Sequence, residues 1–340
     1  MALRVFTLQS FRQDILIHRS SKVPNLTRIK SQTICIVGPT ATGKTGVAVE
    51  IAKRLCGEVI GLDSRQIYRH MAIGTAQPTE KEQQGISHYL YGVREPGERI
   101  SAGEYSHLVE EKVKEITARG NLSIICGGSG LYFRAITKGI FEDSTTDLIV
   151  REKLTKRLEK EGAGVLLTEL KKVDPKYAEI VHPNNHKRLI RALEILELTG
   201  SPPTEHYRRQ VEATSDSLPL FVAYIRPEME WLEKRICRRI DEMFADGWIN
   251  EVKALLEKGF SKKAHPMDSV GYGEIMSHLD GKLDFDEMVA QINLRTRQYA
   301  KRQKSWFNKE KSDCVYQISN DEDLKKASNL FVEIYEQTHQ

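Results

Sequence analysis

A short run of glycine, lysine and threonine, GPTATGKT at residues 38–45, has the composition and spacing of a phosphate-binding loop. Four apolar residues, Ile34 to Val37, precede it, and an amphipathic helical pattern follows it, which is the context such a loop requires. The loop N–H groups and the helix N-terminus would hold phosphate, and Lys44 would add a positive charge. The hydroxyl of Thr45 would lie where Mg²⁺ is bound. The pattern predicts a phosphate ligand and a magnesium cofactor, but leaves the phosphate compound open.

An acidic residue ends another apolar run of the chain. The run EVIGL, residues 58–62, is followed by Asp63 and the sequence DSRQIYRHMAIGTAQP. A chain that hydrolysed ATP is expected to place an acid at the end of a second apolar strand, where it helps to hold Mg²⁺. The run LSIIC ends instead in CGGSG at residues 126–130, which supplies no acid. Because ligands collect at the carboxyl ends of parallel strands, we expect Asp63 and the glycine-rich loop to face the same crevice.

The elements that must position these residues alternate between strands and helices. Helical patterns separate most of the strand-like runs, and the stretch SAGE at residues 101–104 predicts a capping box at one helix start. This alternation predicts an α/β fold with a P-loop NTPase-like parallel sheet and helices on both faces. The predicted strands are residues 33–37, 58–62, 88–93, 122–126, 219–225 and 315–319.

The alternation stops in the middle of the chain. Residues 147–160, 163–172 and 184–199 all have helical patterns, and no strand lies among them. We therefore predict an all-helical insertion domain at 142–217, between two parts of a catalytic core at 31–141 and 218–340. Residues 1–30 carry six basic side chains against one acid and predict a disordered basic arm, with a composition that is also typical of a transit peptide.

Composition excludes some classes of protein. With 340 residues, 40% of them hydrophobic, the chain can bury a full core, and no apolar run approaches the ~20 residues of a membrane span. The five cysteines are widely spaced and form no C-x-x-C pair, which favours a reducing compartment and argues against a structural zinc site. We expect a cytoplasmic protein without a membrane partner, or a mitochondrial one if the arm is a transit peptide.

Seven sequence blocks together resemble the tRNA dimethylallyltransferases, also called tRNA isopentenyltransferases. They occur in the family's order and spacing and cover residues 33 to about 310. Eukaryotic members often append a Cys/His zinc finger, and none is present in this sequence, so the resemblance is to the bacterial type. The blocks are GPTATGKT, DSRQIYRHMAIGTAQP, GGSGLYFRA, HPNNHKRLIRALE, RIDEMFADGWINEV, SVGYGEI and TRQYAKRQKSWF.

The resemblance implies a group transfer. The dimethylallyl group of dimethylallyl diphosphate would pass to N6 of the adenosine just 3′ of the anticodon in tRNA, with release of diphosphate and without use of a nucleoside triphosphate. The glycine-rich loop would then hold the donor's diphosphate, whose developing charge Lys44, the loop amides and Mg²⁺ can stabilise. The expected diphosphate-binding residues are Gly38, Pro39, Thr40, Ala41, Thr42, Gly43, Lys44 and Thr45, and the expected metal ligand is Thr45.

Three residues match the catalytic positions of the family. Asp63 matches its general base, which takes a proton from the N6 amine, and Thr40 matches the residue that hydrogen-bonds the bridging oxygen of the leaving diphosphate. Arg239 matches an arginine that stabilises the diphosphate. From the residues alone, Asp63 could equally be a helix N-cap or a Mg²⁺ ligand, Thr40 a turn residue, and Arg239 half of a solvated charge pair with Arg235.

The resemblance also implies tRNA contacts. Residues 295–311 hold seven Lys/Arg against one acid with interleaved aromatics, and they favour phosphate binding as much as a solvated helix face. Ser129 stands where the family usually has threonine, so a hydroxyl is kept. The expected tRNA-binding residues are Asp63, Ser64, Arg65, Gln66, Ser129, Arg151, Lys187, Arg188, Leu189, Ile190, Arg191, Gly271 and Tyr272.

Rival functions remain open at this point. An adenylate dimethylallyltransferase would modify free AMP, ADP or ATP and would need no grip on an anticodon stem. A P-loop small-molecule kinase would consume ATP. A nucleic-acid-binding NTPase would leave tRNA chemically unchanged. The helical insertion and the basic 295–311 segment favour the tRNA enzyme, which we expect to act as a monomer.

Overall fold

A computed structural model describes residues 33–139, 147–213, 218–262 and 264–339. The predicted basic arm, residues 1–30, lies outside the described residues. Within those ranges no helix is both long enough and apolar enough to cross a membrane.

Six parallel strands form a single sheet in the order β3-β2-β4-β1-β5-β6. This confirms the predicted fold class. The register aligns Val37 at the end of β1 with Gly127 at the end of β4, and Gly127 in turn with Leu62 at the end of β2. The loops after these strands therefore leave the sheet at one edge. The strands are β1 Thr33–Val37, β2 Gly57–Leu62, β3 His88–Tyr89, β4 Leu122–Gly127, β5 Leu220–Pro227 and β6 Cys314–Ile318.

The edge strand β3 is shorter than predicted. The apolar run at 88–93 suggested six residues, but only His88 and Tyr89 pair with β2. Leu90 and Gly92 have φ angles of 66° and 58°, which end the extended conformation. The chain turns away at that point.

The first half of the chain places helices after the strands. Ser101 caps α3 by accepting a hydrogen bond from the Glu104 amide at 3.0 Å, as predicted. The Glu104 carboxylate accepts instead from Arg94 at 2.6 Å, so only half of the predicted capping box forms. The helices are α1 Lys44–Arg54, α2 Glu80–Gln83, α3 Ala102–Ala118 and α4 Gly130–Lys138.

The chain divides into two compact units, and residues 134–217 form the smaller one. Its described part is helical throughout, and the predicted insertion at 142–217 falls within it. Leu154, Leu166, Leu170 and Leu189 form the centre of its separate apolar core. The helices here are α5 Leu148–Glu161, α6 Ala163–Val173, α7 Pro175–Ile180, α8 His186–Thr199 and α9 Pro203–Ala213.

The larger unit is completed by the last third of the chain. The terminal helix α14 packs against α1, and its residues Ala327, Phe331 and Val332 join the core that covers β1, β5 and β6. The helices of this part are α10 Met229–Ala245, α11 Trp248–Glu257, α12 Tyr272–Leu279, α13 Phe285–Phe307 and α14 Asp321–His339.

Candidate active site

A cavity of about 530 Å³ opens at the carboxyl edge of the sheet in the larger unit. The phosphate-binding loop, the ends of β2 and β4, and the helices α10, α13 and α14 line it. The three predicted catalytic residues, Thr40, Asp63 and Arg239, all lie on its wall, together with Lys44 and Thr45. Residues far apart in sequence therefore meet in one place, because the loops after β1 and β2 leave the sheet at the same edge and α10 brings Arg239 to it.

The loop between β1 and α1 exposes a helix N-terminus to this cavity. Gly43 is the N-cap of α1 and has a φ of 84°, a conformation that an L side chain adopts only with strain. No acidic residue occupies the first turn of α1, so no side chain competes for its unpaired N–H groups. The partial positive charge of the helix end adds to that of Lys44. This arrangement suits an anion such as a diphosphate.

Lys44 is the first residue of α1. Its Nζ atom donates a hydrogen bond to the Pro39 carbonyl at 2.7 Å, which holds the amine over the loop. The pKa of Lys44 is lowered to about 8, mainly by burial and also by the positive charge of Arg239, while Cys126 and Asp63 act in the opposite direction. A bound anion would favour the protonated form.

Asp63 begins the turn that follows β2. Its Oδ1 atom accepts hydrogen bonds from the backbone N–H groups of Arg65 at 2.8 Å and Gln66 at 3.4 Å. Burial raises the pKa of Asp63, whereas the two N–H groups and the charge of Lys44 act to lower it. The turn thus orients the carboxylate through one oxygen, and Oδ2 is the atom left to accept a proton.

Arg239 reaches the loop from α10. Its Nη1 atom donates to the Thr40 hydroxyl at 3.2 Å. Burial lowers the pKa of this guanidinium, and the carboxylates of Glu82 and Asp63 oppose that shift. An arginine remains protonated in proteins, so Arg239 brings a fixed charge to the predicted diphosphate position.

Gln303 is a site residue that the sequence analysis missed. Its Oε1 atom accepts from the Thr40 amide at 2.9 Å, and its Nε2 atom donates to the Gly128 carbonyl at 2.8 Å. The side chain therefore joins the phosphate-binding loop to the end of β4. A signal was present, because Gln303 is a polar residue on the buried stripe of α13 that includes Ala300 and Phe307.

Arg235, one turn before Arg239, also lines the cavity and supports the loop. Its Nε atom donates to the Ala41 carbonyl at 2.9 Å, and its guanidinium also pairs with Asp321 at the start of α14. The guanidinium carbon lies 4.9 Å from the ring centre of Trp231. Ala41 has a φ of 62°, which is unusual for a residue with a side chain, so a brace at its carbonyl stabilises a strained position.

The predicted tRNA-binding residues of the larger unit include a turn beside Asp63 and several buried positions. Ser64, Arg65 and Gln66 form the turn after Asp63, and Arg65 donates to Asp268 at 2.6 Å. Ser129 is buried, and Gly271 has a φ of 98°. Tyr272 is fully buried. Contact of these residues with tRNA stays a prediction.

The predicted tRNA-binding residues of the helical unit fall into two groups. Lys187 and Arg188 are exposed at the start of α8. Arg151 and Arg191 instead donate to the same oxygen of Glu194, at 2.8 Å and 2.7 Å, and this carboxylate is fully buried. Leu189 and Ile190 are also buried and pack in the core of the unit. The exposed pair is accessible to solvent, whereas Arg151 and Arg191 balance an internal charge.

Magnesium would find oxygen donors in this cavity. In the ranges that the structure describes, no group of three or more His, Cys, Asp or Glu side chains is arranged to hold a metal ion. Thr45 and Asp63 do line the cavity, and hydroxyl and carboxylate oxygens are ligands that Mg²⁺ accepts alongside substrate phosphates. The donor set fits a metal that arrives with a phosphate ligand.

The sequence matches the model of one protein family. The sequence model described as IPP transferase matches residues 66–310. The chain belongs to the IPP transferase family. The matched segment contains Arg239 and Gln303 and begins just after Asp63, so the phosphate-binding loop lies outside it.

Relatives with assigned names are similar over most of their length. The tRNA dimethylallyltransferase 1 of Trichlorobacter lovleyi is 42% identical over 284 residues, which are 83% of this chain and 92% of that protein. The tRNA dimethylallyltransferase of Caldanaerobacter subterraneus subsp. tengcongensis is 42% identical over 279 residues, which are 81% of this chain and 88% of that protein. These relatives confirm the resemblance found in the sequence blocks.

Two solved structures resemble the fold. The tRNA isopentenylpyrophosphate transferase of Bacillus halodurans has a TM-score of 0.65 and 35% identity, covering 91% of this chain and 98% of that one. A eukaryotic dimethylallyltransferase described as acting on tRNA has a TM-score of 0.73 and 26% identity, covering 89% of this chain and 80% of that one. The architecture is therefore one that the family shares.

Proposed function

We propose that this protein transfers the dimethylallyl group of dimethylallyl diphosphate to N6 of the adenosine 3′-adjacent to the anticodon in tRNA, releasing diphosphate. The observation that carries the proposal is that Asp63 lies in one cavity with Lys44 and Arg239. The transfer needs a proton acceptor and a cationic cradle for a leaving diphosphate, and these residues supply both. Membership of the IPP transferase family and the named relatives support the same conclusion.

The donor side of the cavity suits a leaving diphosphate. As the bond between C1 of the dimethylallyl group and the diphosphate oxygen breaks, negative charge grows on that oxygen. The N-terminus of α1, protonated Lys44 and Arg239 present positive charge to this position, so they stabilise the transition state more than the ground state. The Thr40 hydroxyl, which accepts a hydrogen bond from Arg239, would donate to the bridging oxygen.

The acceptor side of the cavity suits an amine nucleophile. N6 of adenine forms a bond to C1 while its proton passes to Oδ2 of Asp63, and diphosphate leaves with the bonding electrons. A general base must remain ionised and lie within hydrogen-bond reach of the proton. The two backbone N–H groups on Oδ1 favour the ionised form, and burial raises the proton affinity of the carboxylate.

Magnesium belongs to the proposal as a cofactor. The Thr45 hydroxyl would hold it together with phosphate oxygens of the donor, where the ion would neutralise part of the diphosphate charge. Thr45 follows Lys44 directly at the start of α1 and faces the same cavity.

The tRNA partner would be held through its phosphates. Lys187 and Arg188 are exposed on α8, and the basic segment 295–311 supplies further cations on α13. Cations of this kind bind a nucleic-acid backbone without reading its sequence. We further propose a cytoplasmic monomer, in keeping with five cysteines that are all free thiols.

Mass spectrometry of digested tRNA tests this function directly. Purified protein, dimethylallyl diphosphate, Mg²⁺ and unmodified tRNA should yield a nucleoside heavier by one dimethylallyl group, and only at the adenosine beside the anticodon. Free AMP should be a poor acceptor, and ATP should not be consumed. Equal modification of AMP would favour an adenylate dimethylallyltransferase, and stoichiometric loss of ATP would favour a kinase. Omission of Mg²⁺ in a parallel sample tests the cofactor.

A further inference from the structure

We propose that Glu251 on α11 is a positioning residue for the acceptor side of the site. It acts by fixing the loop at residues 71–77, which supports the turn that carries Asp63. The inference rests on the proposed function, in which Asp63 must be held close to an incoming amine. Nothing in the sequence blocks alone assigns a role to this glutamate.

The Glu251 carboxylate is fully engaged with this loop and its neighbour. Oε2 accepts from the Ile73 amide at 2.7 Å, and Oε1 accepts from the Gly74 amide at 3.0 Å. Oε1 also accepts from the hydroxyl of the buried Tyr272 at 2.7 Å. Hydrogen bonds to an ionised carboxylate are stronger than neutral ones, so two consecutive backbone groups are clamped by one side chain.

The clamped loop in turn supports the turn after β2. Gln66 donates from Nε2 to the Ala76 carbonyl at 2.6 Å and to the Thr75 carbonyl at 3.1 Å. Gln66 also donates its backbone N–H to Oδ1 of Asp63. Thr75, Gln66 and Asp63 all line the same cavity. Hydrogen bonds at both ends of the backbone segment 73–76 therefore connect Glu251 to Gln66, and Gln66 to the carboxylate of the proposed base.

The loop packs closely against Trp248 and Tyr272 at Gly74. A Cβ atom on residue 74 would lie 2.6 Å from the Tyr272 hydroxyl and would overlap the Trp248 indole. Only glycine allows the backbone to approach α11 closely enough for both amides to reach Glu251. The loop is thus held by shape and by charge-assisted bonds at the same place.

The consequence is catalytic because proton transfer depends steeply on distance. A misplacement of about 1 Å can cost roughly 100-fold in rate. Loss of the clamp should therefore slow the chemical step, whereas donor binding, which uses α1, Lys44 and Arg239, should be spared. A glutamine side-chain oxygen can still accept from one of the two backbone N–H groups, but its NH₂ group faces the other, so it should restore part of the rate.

The test compares Glu251→Ala and Glu251→Gln with Glu257→Ala, an exposed glutamate on the same helix. Single-turnover rates are measured with saturating tRNA and dimethylallyl diphosphate, and donor affinity is measured by equilibrium dialysis. We expect Glu251→Ala to lose at least about tenfold in rate. Glu251→Gln should fall between it and wild type, and donor affinity should stay within about twofold throughout. A wild-type rate in Glu251→Ala, equal loss in the glutamine variant, or parallel loss of donor affinity would each overturn the proposal.

Amide hydrogen exchange gives a readout that does not depend on activity. The Ile73 and Gly74 amides should exchange faster in Glu251→Ala than in Glu257→Ala, and unchanged exchange would overturn the clamp. A second pair, Gly74→Ala against the exposed Gly97→Ala, displaces the loop without altering the carboxylate and should reproduce the loss of rate. If the wild-type protein modifies no tRNA, the proposed function fails, and the exchange data still decide whether Glu251 holds the loop.

Discussion

Arg239 and Thr40, which lie 199 positions apart in sequence, are joined by a hydrogen bond of 3.2 Å between Nη1 and Oγ1. The bond orients the threonine hydroxyl and brings the positive charge of a half-buried side chain to the phosphate-binding loop. A partly desolvated guanidinium on the cavity wall gains charge-assisted hydrogen bonds when a diphosphate binds. Arg239 is therefore placed to favour the charge that develops during transfer.

Replacement of Arg239 by alanine should slow the single-turnover transfer by about 100-fold or more, because one preorganised donor to the leaving group is lost. Arg239→Lys should recover a minor part, since it keeps the charge and loses the planar fork. Lys234→Ala, on the exposed face of the same helix, serves as the control and should be neutral. An Arg239→Ala enzyme with the control's rate would contradict this role.

Asp63→Asn should keep its turn, since its side-chain oxygen can still accept from the Arg65 amide. The amide cannot take a proton, so the single-turnover rate should fall ~100-fold or more while binding of donor and tRNA is retained. Quench-flow with labelled donor measures the rate, and Asp241→Asn on the exposed surface of α10 is the matched control. A near-normal rate in Asp63→Asn would remove the general-base assignment.

Donor affinity should depend on pH through Lys44. Its pKa in the free protein is lowered to about 8, so the amine is charged below that pH and loses its proton above it. A bound diphosphate favours the charged form, so affinity should fall as pH rises above about 8, with uptake of a proton on binding. Calorimetry in buffers of different ionisation enthalpy measures both effects. Lys44→Arg should abolish the decline, and a wild-type affinity that stays flat to pH 10 would contradict the assignment.

Lys187→Ala combined with Arg188→Ala should weaken tRNA binding and make its salt dependence shallower. The log–log slope should change by roughly one for each phosphate contact removed. Affinity for dimethylallyl diphosphate should not change, because the donor cavity is built from other segments. Lys171→Ala with Lys172→Ala, an exposed basic pair on α6, is the control. An unchanged slope in the test variant would argue against contact by α8.

Removal of Arg191 should reduce thermal stability more than removal of its exposed neighbour Arg188. Because Arg191 shares the buried Glu194 carboxylate with Arg151, its removal leaves that charge with one partner fewer. Arg191→Ala should lower the thermal midpoint, whereas Arg188→Ala should leave it nearly unchanged. Differential scanning fluorimetry distinguishes the two, and equal midpoints would show that the shared ion pair adds little stability.

Local patterns sufficed to predict the strands that carry the site. The apolar runs before Gly38 and Asp63 correctly predicted buried strands. A parallel sheet buries both faces of such a strand, so its sequence is apolar at successive positions rather than at alternate ones. The short edge strand β3 was overestimated, since the positive φ of Leu90 has no local sequence signal.

Residues that act through tertiary contacts were not predictable in this way. Gln303 and Glu251 lie on helices whose periodicity shows only which face is buried. Their partners, such as the Thr40 amide and the Gly74 amide, belong to loops distant in sequence. One amino-acid sequence contains no information on such distances. The only local signal was a polar residue on the buried face of a helix.

The position of α14 has a consequence for how this protein matures during synthesis. Asp321 holds Arg235, and Leu324 lines the donor cavity beside Gly43, although both lie after residue 310, where the family match ends. Strand β1 also pairs with β5, which is synthesised nearly two hundred residues later. Domains fold as units, and non-local pairing is slow to form. We therefore expect a nascent chain to carry its phosphate-binding motif well before β5 and α14 exist, so that the donor cavity is complete only once residues up to Leu324 have left the ribosome.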